Sequence, residues 1–168
     1  MAMRAPAWWL MVPLIAGTCA SALACSIGSG IREDDLAVAY RHSSHVFVAR
    51  LTGYRKVAPP AGGTHMQLEA DYELVESIKG RPAARGVLFE TDWASPLPGH
   101  PPGPACGPWL LSGREPGALA LVLATEEGAG RWRVAPFSRT LIPTGRGWDE
   151  DLDIILRIHE QSTSSGDR

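Results

Sequence analysis

From residue 66 the chain alternates: Met66, Leu68, Ala70, Tyr72 and Leu74 fall on one side, Gln67, Glu69, Asp71 and Glu73 on the other. A period of two is the pattern of a half-buried strand. Before it, residues 45–55 are rich in Val, Phe, Leu and Tyr and predict another strand, separated from the first by the turn-forming Pro59-Pro60-Ala61-Gly62-Gly63. Lys79-Gly80 ends the alternating segment, and residues 87–91 predict a third strand. Residues 118–124 (Ala-Leu-Ala-Leu-Val-Leu-Ala) form a continuous apolar run, expected of a well-buried fourth strand. Glu127-Gly128-Ala129-Gly130 then predicts a hairpin turn into a fifth, residues 132–137. Two short helices complete the pattern. Residues 32–42 begin with acids and end with bases, which suits a helix dipole, and residues 152–159 carry apolar positions at helical spacing. Five strands, short helices and no internal repeat predict a mostly β protein: a five-stranded OB-type antiparallel barrel with short flanking helices.

The long gap between the third and fourth strands has its own composition. Residues 94–108 hold six prolines and three glycines, so no regular element is expected there, and Cys106 lies inside it. The first 24 residues differ again. Arg4 precedes an apolar run over residues 7–20, and Ala22-Leu23-Ala24 supplies the small residues that signal peptidase requires. The run is short of a bilayer span and is broken by Pro13, so a cleaved export signal is expected over 1–24 rather than a membrane anchor. The remaining chain divides into a domain over 25–160 and a polar tail over 161–168.

Cleavage would leave Cys25 as the first residue and remove Cys19, so two cysteines remain, Cys25 and Cys106. In an oxidising compartment, periplasmic or extracellular, two cysteines imply one disulfide. Two unpaired thiols are the bland alternative. A lipid anchor on Cys25 is another, although the sequence places Ala22 where a lipobox prefers Leu. The formal net charge of −2 argues against a protein that binds nucleic acid by neutralising phosphates.

Taken together, these residues resemble the netrin-like module, the OB-type domain also found in tissue inhibitors of metalloproteinases. The resemblance covers residues 25–145 and rests on several short motifs. Cys25-Ser26-Ile27 matches a mature N-terminus beginning Cys-Ser/Thr-Cys; His45-Val46-Phe47-Val48-Ala49-Arg50-Leu51 matches the first strand. Ser77-Ile78-Lys79-Gly80 matches a hydrophobic-Lys-Gly step, and Cys106-Gly107 matches the Cys-Gly step of the long loop. Two positions depart from the family pattern. Ile27 replaces its third-residue cysteine, and Ser138 stands where that cysteine's partner is expected, as if one bridge were lost as a unit. The resemblance implies a Cys25–Cys106 disulfide and a protein-binding role. It also implies a narrower possibility, inhibition of a zinc metalloprotease. In that case the free amine and carbonyl of Cys25 would chelate the partner's zinc, Ser26 would face its specificity pocket, and Ala105-Cys106 would brace the wedge.

Other constellations point elsewhere. His42 and His45 have a ligand-like spacing, but no acid or cysteine is placed to complete a metal site. Asp149, Asp151, Asp153 and Glu160 mimic a calcium loop, yet its sixth position is Ile154 rather than Gly, so a helix start is expected instead. Glu90 and Asp92 flank a strand end without any catalytic motif, and Trp93, Trp109 and Trp132 read as packing residues. No cofactor fingerprint is present, and a binding module is favoured over an enzyme.

Overall fold

The structure is a computed structural model and describes residues 33–101, 110–111, 115–128, 130–135, 137–141 and 146–164. Helix α1 (Glu33–His42) leads into β1 (His45–Val57), β2 (His65–Lys79) and β3 (Arg85–Pro96). Then come β4 (Leu119–Glu126), β5 (Arg131–Val134), β6 (Arg139–Leu141) and α2 (Arg146–Ser164). β1, β2 and β3 form an antiparallel meander. β3 pairs with β5 in parallel, β5 with β4 antiparallel, and β4 returns antiparallel to β1. That circuit closes a five-stranded barrel of the OB type, flanked by the two helices.

Two apolar layers explain the continuous runs in β1 and β4. Phe47, Ala49, Leu51, Ala120, Val122 and Ala124 point into the barrel with Ala70, Tyr72, Leu88 and Trp132. Their neighbours Val46, Val48, Leu121 and Leu123 point outward and are covered by Leu36 and Tyr40 of α1 and by Ile154 and Ile155 of α2. Strands buried on both faces lose their alternation, whereas β2 alternates over residues 66–74, ahead of Ile78, where it meets the helix layer. The helices are joined to each other by a 2.7 Å hydrogen bond between the Tyr40 hydroxyl and His159 Nδ1.

Three boundaries differ from expectation, each for a physical reason. The strand expected over 132–137 ends at Val134, and a separate β6 pairs with Leu119, Ala120 and Leu121 of β4. Between the Val134–Ala124 and Arg139–Leu121 pairs the ladder is interrupted: the Ala135 N–H still donates to the Leu123 carbonyl at 2.8 Å, and Phe137 sits at φ 72°. Ser138 repairs the ladder there. Its hydroxyl accepts from the Leu123 N–H at 2.9 Å and donates to the Leu123 carbonyl at 3.0 Å. Ser138 is thus a buried serine with both bonds made inside the barrel wall. β3 extends to Pro96, into the stretch expected to be irregular, because Pro96 lies opposite His65 at the strand's end, where its missing N–H costs nothing central. α2 begins at Arg146 and runs to Ser164, so the stretch expected as a tail from 161 is helical through Ser164. The acids expected at a helix start lie in the first two turns of α2, and Asp151 is buried there.

The Ile78-Lys79-Gly80 step also has a local explanation. Ile78 packs in the layer beneath the helices. Lys79 Nζ donates to the Tyr40 carbonyl at 2.7 Å and the Ser43 carbonyl at 2.6 Å, capping the C-terminus of α1, and loss of water there lowers its pKa. Gly80 sits at φ +76° with the His45 ring 2.4 Å from where a Cβ would stand. Gly80→Ala is therefore expected to cost about 2–3 kcal/mol from left-handed strain and displacement of the imidazole. Urea unfolding measures it; an unchanged midpoint would contradict this account.

Candidate functional site

The four residues singled out for partner contact, Cys25, Ser26, Ala105 and Cys106, lie outside the described residues, as do residues 1–24, where an export signal is expected, Ile27 and Trp109. Described residues flank both segments. The proline-rich connection between β3 and β4 is pinned at three places. Leu97 N–H donates to the Thr64 carbonyl at 2.9 Å, and the Gly117 N–H donates to the Leu51 carbonyl at 2.6 Å. Between these points Leu110 and Leu111 enter the barrel interior, 1% and 3% exposed.

Glu90 makes the third attachment. It is buried at 7% exposure, and its two carboxylate oxygens accept the Leu110 N–H at 3.1 Å and the Leu111 N–H at 2.9 Å. A carboxylate taken from water needs such partners, and two backbone amides in an irregular segment need an acceptor. Each solves the other's problem. Asp92, two residues on, pairs with Lys56 Nζ at 2.7 Å. Burial alone would push its pKa up, but hydrogen bonds from Lys56 and Ser95, the Lys56 charge and the Ala94 N–H outweigh burial and hold it low.

The remaining sequence candidates are dispersed. His42 is exposed at the end of α1, while His45 packs edge-on against Trp132 at 4.4 Å and shares a hydrogen bond with Ser44. Among the described residues no three His, Cys, Asp or Glu side chains gather where they could hold a metal. Trp93 stacks obliquely on the buried His65 at 4.8 Å, and Trp132 belongs to the barrel interior. No helix among the described residues is long and apolar enough to cross a membrane.

A second feature was not anticipated. On the outer face of β2, β3 and β5 lies a groove of about 570 Å³, lined by Val57, Ala58, Pro59 and Pro60 along one side. Gln67, Glu69, Phe89, Glu127 and Arg131 complete its lining. Glu69 accepts from Arg55 Nε and from the Arg131 guanidinium, both at 2.8 Å, and Arg55 also grips both oxygens of Asp71 at 2.9 Å. The hydrogen bond to Asp71, reinforced by Glu69, raises the Arg55 pKa against the opposing effect of burial. The Arg131 and Arg133 guanidiniums lie over the Phe89 ring at 5.0 and 5.7 Å, and Arg133 is paired with Glu127. Only half of this was legible: the alternation put Glu69 on the outer face, but nothing local told that Arg55 and Arg131 would cover it.

No protein-family model matches the chain, and no curated protein matches it in sequence.

Proposed function

We propose that the protein is an exported netrin-like binding module, periplasmic or extracellular, that engages a protein partner through its mature N-terminus, Cys25-Ser26, and the loop at Ala105-Cys106. One observation carries the reading: the described flanks of these two segments lead to the same part of the barrel. After α1 the chain turns at Ser43 and Ser44; the helix packs Leu36 and Tyr40 against the outer layer of β1 and β4, and its ten residues carry Glu33 about 15 Å from that turn, beside Arg157 of α2. The β1–β4 ladder runs about as far, from the His45–Ala124 pair to the Arg50–Leu119 pair. The proline-rich connection returns to that second end, where Gly117 and Ala118 bond to Leu51. The eight residues from Cys25 to Glu33 and the four from Cys106 to Leu110 can together span about 40 Å at full extension.

Within this reading, inhibition of a zinc metalloprotease is the narrower form. The Glu90 clamp favours it, since it gives the loop carrying Cys106 a fixed base four residues away. An α-amine with a pKa near ~8 gives up its proton to zinc at modest cost, and a disulfide at the same residue would hold it in place. The test compares the mature chain with one extended by a single Ala before Cys25, against a panel of zinc endopeptidases. Inhibition by the mature chain and at least ~100-fold weaker inhibition by the extended one is expected, since the extension removes the chelating amine. Equal inhibition by both, or none by either, rejects the chelating mechanism. A lipid-modified Cys25, visible by intact mass, rejects a soluble N-terminal wedge altogether.

A further inference from the structure

The start of β2 meets the end of β3 at an irregular place. His65 pairs with Pro96 and Gln67 with Thr91, so four residues of β3, 92–95, stand against Met66 alone. Lys56 gathers both ends of that bulge: its Nζ lies 2.7 Å from Asp92 Oδ2 and donates to Ser95 Oγ at 2.7 Å. The Ala94 N–H donates to Asp92 Oδ1 at 3.2 Å. Trp93, inside the bulge, rests on the His65 ring, with centroids 4.8 Å apart at 59°. Just beyond, the Leu97 N–H donates to the Thr64 carbonyl at 2.9 Å, and the His100 N–H closes a turn onto the Leu97 carbonyl at 3.1 Å. The root of the proline-rich connection therefore rests on two residues, Thr64 and His65.

His65 is 8% exposed, and its ring holds one hydrogen bond, between Nδ1 and Thr64 Oγ1 at 2.9 Å. Nε2 is buried and meets no hydrogen-bond partner among the described residues. A neutral imidazole tolerates this, since Nδ1–H can donate to Thr64 while Nε2 keeps only a lone pair. An imidazolium does not. Both of its nitrogens carry N–H, and the second would lie buried, with its charge, before no acceptor. The surrounding strands offer no free counter-charge among the described residues. Lys56 and Asp92 are paired with each other, and Arg55, Glu69 and Asp71 are bound together. The turn over residues 58–64 holds no ionisable side chain, and the turn from Leu97 to His100 holds only His100, which is exposed. We propose that His65 is a proton-operated latch. Neutral, it stays against Trp93 and holds the end of β3 and the Leu97–His100 turn to β2; protonated, it leaves the interior and releases them. The other two attachments of the connection, at Glu90 and at Gly117, use no histidine and persist.

Hydrogen exchange of the full chain, read amide by amide, tests the latch. A released imidazole titrates near ~6.5, so lowering the pH from about 7.5 to about 5.5 favours the released state by about tenfold. The hold of the latch is thus present above that range and lost as pH falls through it. After correction for intrinsic exchange rates, protection of the Leu97 and His100 amides should fall about tenfold over this interval, while Leu111 and Leu123 change by less than about twofold. His65→Phe fills the place beside Trp93 but takes no proton, so it should abolish the pH dependence at Leu97. His65→Asn keeps a polar atom for Thr64, takes no proton either, and serves if the Phe variant fails to fold. Equal Leu97 protection at the two pH values, an equal fall at Leu123, or a fall that persists in the variant overturns the proposal.

Discussion

Glu90→Ala should lower stability by about 3–6 kcal/mol, because each hydrogen bond to a buried charged group contributes about 1.5–3 kcal/mol and at least two are lost. The loss should not be uniform. Leu110 and Leu111 occupy the barrel interior beside Leu51 and Leu88, but their backbone belongs to no strand and takes its hydrogen bonds from Glu90. Without the carboxylate, two buried N–H groups must either go unpaired or leave the interior with their side chains. Hydrogen exchange at these two amides should therefore rise far more than at Val122 or Leu123, which remain within β4. Glu90→Gln separates charge from shape. It keeps one accepting oxygen but turns a donor toward the second N–H, so about half of the destabilisation is expected. Guanidinium unfolding and exchange by mass spectrometry supply the numbers. An Ala variant with an unchanged midpoint, and Leu110 and Leu111 still protected, would show that the segment is held by its leucines alone.

The clamp illustrates why some of this molecule could be read from its sequence and some could not. The barrel was legible because its strands announce themselves locally: β2 alternates, and β4 is a short apolar run bounded by turns. Glu90 left a faint signal, an acid directly after the apolar run Val87-Leu88-Phe89, but the two amides it holds lie 20 and 21 residues away in a segment without periodicity. β6 was missed because three residues after a proline carry too little pattern, and because Ser138 substitutes a side chain for the ladder at Leu123. α2 was read too short since Gly147 and the acids Asp149, Glu150 and Asp151 crowd its first turns and regular apolar spacing begins only at Leu152. The groove draws on residues 57–60, 67–69, 89 and 127–131, which meet only after β3 and β5 pair and the barrel closes. The proposed contact edge was read from placed cysteines, a signal independent of secondary structure.

Those cysteines carry the other large effect. If Cys25 and Cys106 are bridged in the exported protein, Cys106→Ser should cost about 4–5 kcal/mol, the loop-closure entropy that a bridge across some 80 residues removes from the unfolded chain, in a model that ignores strain. The barrel itself should survive, since its closure rests on the β1–β4 and β3–β5 pairings. The signature is thus a lower unfolding midpoint with a native-like folded state, together with a steeper denaturant dependence, because an uncrosslinked unfolded chain exposes more surface. Reductant added to the wild type should reproduce both changes, and reductant added to Cys106→Ser should do nothing. The helices provide an internal control: the Tyr40–His159 hydrogen bond holds α1 to α2, so loss of the bridge should loosen residues ahead of Glu33 and leave α1 protected. Two titratable thiols in exported protein, with a midpoint indifferent to reductant, would remove the disulfide and with it the main support for a contact edge at Cys25-Ser26.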